Sequence, residues 1–241
     1  MKAGQLADRL TLWIAEKVKS AGLKGAVFGM SGGVDSSVVA ALSRRACGED
    51  TLGLLMPCHS DPQDEQHALA VAEKFSIRTK KIALDAVYDM LLKSFNVEGD
   101  TDDERLARAN LKARLRMLTI YFHANRLRYL VTGSGNKSEL TVGYFTKYGD
   151  GGVDILPLGN LVKTQVRELA AFLGVPQEII DKPPSAGLWR GQTDEEDLGC
   201  SYEELDRLLT GGKASGDIKA KIEKLVAANR HKLNPPPIPD F

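Results

Sequence analysis

Short apolar runs alternate along this chain with longer segments whose apolar residues recur at helical spacing. The runs at residues 26–28, 51–56 and 128–132 are too short for anything but buried strands, and residues 77–84 alternate like a further strand. Leucine, tryptophan, isoleucine and valine at helical spacing mark residues 2–20 as an amphipathic helix. This alternation predicts an α/β fold in which a doubly wound parallel sheet of about five strands is flanked by helices.

A glycine- and serine-rich turn follows the first of these strands and leads into a helix that should end near Gly48. Gly32 and Gly33 allow the main chain to come close to an anion, and the positive end of the following helix attracts one. Asp35 is unexpected there, because a carboxylate repels phosphate unless a divalent cation lies between them. We therefore expect a nucleotide polyphosphate site in which Asp35 binds Mg²⁺. The turn lacks the lysine that closes a Walker loop.

A second glycine turn, residues 133–139, follows the strand at residues 128–132. Because ligands bind at the carboxyl ends of parallel strands, we expect this turn to lie beside the first. Glu139 is then placed to be a second metal ligand. The alternative is that Glu139 binds no metal and only interacts favourably with the helix dipole at the start of a helix.

The chain after residue 140 contains segments rich in glycine or proline between further predicted helices. Residues 141–154 contain four glycines, which makes this loop costly to order without a ligand, and residues 183–199 resemble a mobile lid. We expect Asn160 to cap a helix and residues 215–230 to form the last helix. The tail at residues 231–239 is rich in proline and is expected to be extended.

A long helix at residues 101–125 is dense in cations. They are Arg105, Arg108, Lys112, Arg114 and Arg116. For most of them we expect a solvated face paired with acidic residues one turn away. The same helix has more apolar residues than one buried stripe requires, which suggests that a partner subunit covers a second face.

Length and composition indicate the number of domains, the kinds of partner and the cellular compartment. The 241 residues suffice for one substantial core, so we expect a single domain over residues 1–241. Lys+Arg and Asp+Glu are balanced at 32 each, which gives no general attraction to nucleic acid. Three unpatterned cysteines argue for a reducing compartment, and no stretch has the length of a membrane span. We expect a cytoplasmic protein without nucleic-acid or membrane partners.

Residues 31–36, Ser-Gly-Gly-Val-Asp-Ser, resemble the pyrophosphate loop of the ATP pyrophosphatases, which cleave ATP between the α- and β-phosphates. Within that superfamily, residues 145–152, Phe-Thr-Lys-Tyr-Gly-Asp-Gly-Gly, are similar to the substrate loop of ammonia-dependent NAD synthetases. Further matches at residues 110–117, 163–165 and 184–186 follow the family order. The resemblance therefore covers nearly the whole chain.

This resemblance implies an adenine nucleotide alpha-hydrolase-like, Rossmann-like fold and a homodimer. It also implies the Mg²⁺-dependent conversion of nicotinic acid adenine dinucleotide (deamido-NAD), ATP and ammonia to NAD, AMP and pyrophosphate through an acyl-adenylate. Two rival interpretations are a tRNA-modifying pyrophosphatase, which would need a basic surface, and a nucleotide-sensing module, which would need neither Asp35 nor the tyrosine-rich loop.

Individual roles follow from the same resemblance. The ATP phosphates would be held by Gly29, Met30, Ser31, Gly32, Gly33, Val34, Asp35 and Ser36, with further ATP contacts from Ser134, Lys163 and Ser185. Asp35 and Glu139 would bind Mg²⁺, and Asp35 and Lys163 would act in catalysis. Deamido-NAD would be contacted by Arg114, Lys147, Asp154, His231 and Lys232. Leu55 and Leu233 stand where the family usually has arginine, which puts the adenine and tail contacts in question.

Overall fold

The computed structural model describes residues 1–97, 101–189 and 191–240 of the chain. Four strands form its sheet: β1 (Gly25–Gly29), β2 (Thr51–Leu55), β3 (Arg78–Lys81) and β4 (Tyr129–Val131). All neighbouring strands are parallel, in the order β3-β2-β1-β4. The predicted parallel sheet is therefore confirmed.

Beyond these four strands, the part of the chain that the structure describes has one isolated bridge. Ile155 pairs in parallel with Thr132 at the outer edge of β4. Pro157 follows two residues later, and proline has no N–H group with which to continue a ladder of hydrogen bonds. The sheet therefore has four strands, close to the predicted five.

Eleven helices are assigned within the described residues. They are α1 (Ala3–Ser20), α2 (Val34–Cys47), α3 (Pro62–Lys74), α4 (Asp85–Ser94), α5 (Asp102–Leu127), α6 (Lys137–Val142), α7 (Lys163–Leu173), α8 (Gln177–Ile180), α9 (Asp194–Leu198), α10 (Tyr202–Leu209) and α11 (Gly216–Leu233). Among these helices, none combines the length and the apolar character needed to cross a lipid bilayer.

Two hydrophobic cores lie on opposite faces of the sheet, because successive strand residues point to opposite sides. Phe28 packs with residues of α1, α2, α3 and α7, whereas Val27 packs with residues of α4 and α5. Ile14 of α1 is fully buried in the first core, as its helical spacing predicts. A third cluster around Tyr202 joins α6, α9, α10 and α11. The doubly wound arrangement is thus confirmed.

The last helix differs from the prediction. It continues through Leu233, so His231 and Lys232 lie in its final turn and are not part of an extended tail. Asn234 is the first extended residue, with φ of −98° and ψ of 147°. It precedes Pro235, and a residue before proline is disfavoured in the helical conformation. The helix therefore ends immediately before the run of prolines.

Smaller differences concern helix starts. Asn160 does not cap α7, whose N-cap is Val162, because the side chain of Gln165 accepts the main-chain N–H of Val162 at 3.2 Å. The strand predicted at residues 77–84 ends at Lys81, and α4 follows it without having been predicted. The predicted lid also contains a short helix, α9.

Candidate active site

The first glycine turn lies between β1 and α2, as predicted. Gly32 has φ of +78°, and a Cβ atom there would lie 2.2 Å from the main-chain oxygen of Asp64, so a larger residue does not fit. The hydroxyls of Ser36 and Ser37 donate to the carbonyl of Gly33 at 2.9 and 2.8 Å. Gly33 caps α2 without a side chain, which leaves N–H groups of the first turn available to a ligand. The turn therefore offers main-chain N–H groups at the positive end of α2 to an anion.

A buried ammonium joins two carboxylates beside this turn. The side chain of Lys163 is 3% exposed and forms ion pairs with Asp35 and with Glu139, whose Oε1 lies 3.3 Å from Nζ. The side-chain amide of Asn136 donates to Asp35 at 2.9 Å, and the ring centroid of Tyr202 lies 4.9 Å from the ammonium. We call Asp35, Glu139 and Lys163 the ionic centre. Its members come from the first turns of α2, α6 and α7, so three helix starts converge.

Burial and charge act against each other in the ionic centre. Burial raises the pKa of Glu139 to about 8, although the nearby Lys163 ammonium opposes this shift. Burial also disfavours the charge of Lys163, but Asp35 and Glu139 outweigh it and raise the pKa of Lys163 above its usual range. Lys163 therefore stays positively charged at neutral pH, whereas Glu139 titrates near neutrality.

A second layer of hydrogen bonds holds the ionic centre, and the sequence analysis assigned no role to its members. Asp206 of α10 is buried and accepts the hydroxyl of Ser138 at 2.5 Å and the main-chain N–H of the second residue of α7 at 2.7 Å. The hydroxyl of Ser138 in turn accepts the main-chain N–H of Lys163 at 3.1 Å. Tyr202 lies four residues before Asp206 and donates to Glu139 at 3.4 Å. This i, i+4 spacing of two polar residues on one helix face was the available signal.

Asp35 and Glu139 have the chemistry of a magnesium site. Their oxygens lie around one ammonium beside the glycine turn, and their side chains are 15% and 17% exposed. Mg²⁺ in nucleotide enzymes is usually bound by one or two carboxylates together with phosphate oxygens. The two residues therefore fit a magnesium ion that a nucleotide also binds.

Four of the five residues predicted to contact the dinucleotide lie together at the end of α11. The ammonium of Lys147 donates to the main-chain oxygen of His231 at 2.8 Å, and that of Lys232 donates to the carbonyl of Gly143 at 2.8 Å. The guanidinium of Arg114 donates to the carbonyl of Lys147 at 3.5 Å. We call Arg114, Lys147, His231 and Lys232 the tail cluster. Main-chain carbonyls hold its cations close together without neutralising them.

The fifth predicted dinucleotide contact, Asp154, lies apart from the tail cluster, and the predicted ATP contacts Ser134 and Ser185 are not members of the ionic centre. The carboxylate of Asp154 accepts the hydroxyl of Tyr121 at 2.9 Å and the main-chain N–H of Val131 at 2.8 Å, so it stabilises the end of β4. Ser134 lines a small cavity of about 50 Å³. Ser185 precedes α9, and its hydroxyl accepts the main-chain N–H two residues further on at 3.1 Å.

Two of the five cations of α5 lie outside the solvated face that was predicted for most of them. Lys112 is 7% exposed, donates to the carbonyl of Leu188 at 2.9 Å and lies 5.4 Å from the ring centroid of Tyr88. Burial lowers the pKa of Lys112. Arg116 donates to the carbonyl of Met56 at the end of β2, at 3.3 Å. These cations point inward because the segment before α9 and the end of β2 cover this part of α5.

Comparisons with a family model and with curated relatives indicate the same family. The family model described as NAD synthase matches residues 6–236. An NH3-dependent NAD(+) synthetase from Syntrophomonas wolfei is 47% identical over 240 residues, covering 99% of this chain and 96% of the relative. The enzyme of the same name from Carboxydothermus hydrogenoformans is 45% identical over 232 residues, covering 96% of each chain.

Solved structures agree with the observed fold. The structure of an NMN synthetase from Francisella tularensis superposes with a TM-score of 0.95 at 37% identity, over 100% of both chains. An NH3-dependent NAD synthetase from Campylobacter jejuni, in complex with the nitrate ion, superposes with a TM-score of 0.82 at 30% identity, also over 100% of both chains. The chain therefore belongs to the NAD synthase family.

Proposed function

We propose that this chain is an ammonia-dependent NAD synthetase, a ligase that uses ATP to amidate deamido-NAD and releases NAD, AMP and pyrophosphate. The observation that carries the proposal is the Lys163 ammonium held between Asp35 and Glu139 beside a glycine turn shaped for phosphates. Curated relatives of that name, similar over nearly the full chain, support it.

The chemistry explains why ATP is needed. A carboxylate reacts poorly with ammonia, because the leaving group would be oxide. Attack of one carboxylate oxygen of the nicotinate on the α-phosphorus of ATP forms an acyl-adenylate and releases pyrophosphate. Ammonia then attacks the acyl carbon, the nitrogen loses a proton, and AMP departs with one former carboxylate oxygen. No side chain has to form a covalent bond.

The chain's own residues supply positioning and charge. Main-chain N–H groups of residues 29–36 hold the phosphates, and Lys163 stabilises the negative charge that develops on the departing pyrophosphate. Asp206 keeps Lys163 in place through the start of α7. Mg²⁺ held by Asp35 and Glu139 would add Lewis-acid stabilisation of the phosphate oxygens.

The small cavity suits the second substrate. It is lined by Ser134, Glu139, Phe145 and Asp150, among others, and has a volume of about 50 Å³. A cavity of about 10–15 Å³ on this measure already holds one water, so this cavity has room for ammonia. Burial raises the pKa of Asp150, which suits its carboxylate to take a proton from an entering ammonium ion.

The tail cluster supports binding of the dinucleotide. Deamido-NAD carries a pyrophosphate and a nicotinate carboxylate, and the ATP site already uses Lys163. Arg114, Lys147 and Lys232 provide cations whose present partners are main-chain carbonyls, which phosphate oxygens can replace. Asp154 is included among the proposed contacts by resemblance alone, since its oxygens already accept two hydrogen bonds.

A homodimer would cover exposed apolar side chains of α4 and α5. Large apolar side chains of α4 and α5 are between 42% and 64% exposed: Val87, Met90, Leu106, Leu118 and Phe122. Exposed large apolar side chains of this kind are typical of a subunit interface. Sedimentation of the purified protein should give twice the mass of the 26.2 kDa chain.

A specific observation favours a second candidate substrate. The high structural similarity to an NMN synthetase points to nicotinic acid mononucleotide, which the same chemistry would amidate to NMN. Leu55 and Leu233 stand where the family usually has arginine, so contacts that those arginines make in relatives are absent here.

Comparing the two acids as substrates tests the two candidates. Pyrophosphate release from ATP is measured with ammonia and either deamido-NAD or nicotinic acid mononucleotide, each over a range of concentrations. We expect the larger kcat/KM with deamido-NAD, and no turnover when glutamine replaces ammonia. A larger kcat/KM for the mononucleotide would transfer the proposal to NMN synthesis, and no turnover with either acid would overturn it.

A further inference from the structure

A second cleft lies at the opposite end of the sheet from the ionic centre. Its volume is about 290 Å³, and its lining includes Leu52, Arg78, Thr79, Lys80, His123 and Arg126. Leu52 and Arg78 are near the amino ends of β2 and β3, and Arg126 is in the last turn of α5. The glycine turn of the candidate active site instead follows the carboxyl end of β1. We call this second site the basic cleft.

The basic cleft gathers positive charge without acidic partners. Arg78 and Lys80 alternate along β3 and so point to the same face. Within the described part of the chain neither of them, nor Arg126, forms an ion pair, and no acidic residue lines the cleft. The neighbouring Lys81 points to the other face and pairs with Glu65 at 2.7 Å.

The contacts that these cations do make leave their charge available. One guanidinium nitrogen of Arg78 lies 3.4 Å from the hydroxyl of Tyr129, and the guanidinium of Arg126 lies 5.7 Å from the ring centroid of Phe122. Both partners are uncharged, and the Tyr129 hydroxyl in turn donates to the carboxylate of Asp50 at 2.9 Å, so this acidic group contacts Arg78 only through that hydroxyl. Three like charges in one cleft repel one another, and an anion between them would relieve that repulsion.

His123 adds an independent sign that the basic cleft lacks a partner. It is 9% exposed, and its Nδ1 donates to the main-chain oxygen of Thr119 at 3.1 Å. Its Nε2 is buried and has no hydrogen-bond partner among the described residues. A buried polar atom without a partner costs about 1–3 kcal/mol. In the imidazolium form both ring nitrogens donate, so a phosphate oxygen can accept the hydrogen bond that Nε2 then offers.

We propose that the basic cleft binds a small molecule that carries a phosphate group. A phosphate dianion would offset two of the three positive charges of Arg78, Lys80 and Arg126, and arginine recognises phosphate oxygens in a bidentate manner. Ligand pockets usually have volumes of about 300–1,000 Å³, so this cleft suits a phosphate with a small organic group and not a dinucleotide.

The four histidines of the chain allow a test that separates this cleft from the ATP site. His123 lines the basic cleft, whereas His67 lies against the glycine turn, with its Cβ 3.1 Å from where a Cβ of Gly32 would be. Inorganic phosphate is titrated into the full chain while the histidine ring signals are followed by NMR, with sodium chloride at equal ionic strength as the control. We expect phosphate, but not chloride, to shift the His123 signals in a saturable manner.

Variants then locate the phosphate. The double variant Lys80→Gln, Arg126→Gln should weaken the His123 response roughly tenfold or more, since hydrogen bonds to charged groups are lost. The matched control Lys81→Gln, on the opposite face of the same strand, should leave it unchanged. Circular dichroism verifies that both variants are folded. A phosphate shift at His67 alone, or an equal His123 response in the double variant, would overturn the proposal without affecting the proposed catalytic function.

Discussion

The ionic centre and the tail cluster both gather cations for phosphate chemistry, but they hold them in different ways. Lys163 is almost fully buried and is paired with Asp35 and Glu139. Helix α10 supports this centre, because Tyr202 donates to Glu139 and Asp206 accepts the main-chain N–H of Thr164. Lys147 and Lys232 lie at the protein surface or half-buried, and their partners are main-chain carbonyls.

This contrast separates two tasks. Charges buried together are fixed before the substrate arrives, and such preorganisation suits a step in which negative charge develops on a leaving group. Cations on carbonyls retain their full charge and can exchange those partners for phosphate oxygens. The ionic centre is therefore suited to catalysis and the tail cluster to binding, and substitutions should affect kcat and KM differently.

The largest effect is expected from Lys163→Met. It leaves two buried carboxylates without their cation, and removing one partner of a buried pair costs about 3–5 kcal/mol of stability. Pyrophosphate release should fall by about a hundredfold or more, as for other groups that stabilise developing charge. Urea unfolding and single-turnover pyrophosphate assays measure the two effects. The control Lys137→Met, on the first turn of α6, should change neither; a stable and active Lys163→Met protein would show that the ionic centre is not catalytic.

Asp35→Asn should follow in size. The amide keeps the shape of the side chain but removes a negative charge that Mg²⁺ requires, so adenylate formation should drop by about 10²-fold while the fold survives. Titrating Mg²⁺ in the pyrophosphate assay should show a raised requirement for the metal. Normal turnover at the same Mg²⁺ concentration would contradict the assignment of Asp35 as a metal ligand.

The tail cluster should respond more weakly and mainly in KM. Lys232→Met removes one charged contact, which predicts about a tenfold rise in KM for deamido-NAD or more, with ATP binding unchanged. Lys224→Met on the same helix serves as the control. If kcat falls while KM for deamido-NAD stays constant, the distinction between the two regions is wrong.

The smallest effect is a change in the pH dependence of stability. Because burial raises the pKa of Glu139 to about 8, the folded chain binds more protons than the unfolded chain between pH 4.5 and 8, so this residue lowers stability as pH rises through that window. Glu139→Gln cannot titrate. In urea unfolding with a chelator present, the stability of the variant relative to the wild type should therefore increase from pH 5 to pH 8; a constant difference would contradict the shift.

Local signals predicted the fold and the first turn well. Glycines, alternating apolar residues and caps act over a few residues, so the strands and the position of Asp35 could be predicted from the sequence. The end of α11 was misjudged because histidine, lysine and leucine are compatible with either a helix or a tail. Only the next prolines decide where the helix stops.

Long-range contacts could not be predicted in this way. Asp206 is 42 residues from the main-chain N–H of Thr164 that it accepts, and Lys112 is 76 residues from the Leu188 carbonyl that covers it. Helical spacing identifies which face a residue occupies but not what packs against that face. The inward cations of α5 and the layer behind Lys163 therefore appear only in the folded chain.

Oxygen transfer tests the proposed adenylate chemistry most directly. Deamido-NAD labelled with ¹⁸O in its nicotinate carboxylate is incubated with the purified chain, ATP, Mg²⁺ and ammonia, and the products are analysed by mass spectrometry. The mechanism predicts one labelled oxygen in AMP and none in pyrophosphate, because the carboxylate attacks the α-phosphorus. Label in inorganic phosphate together with ADP, or unlabelled AMP, would contradict it.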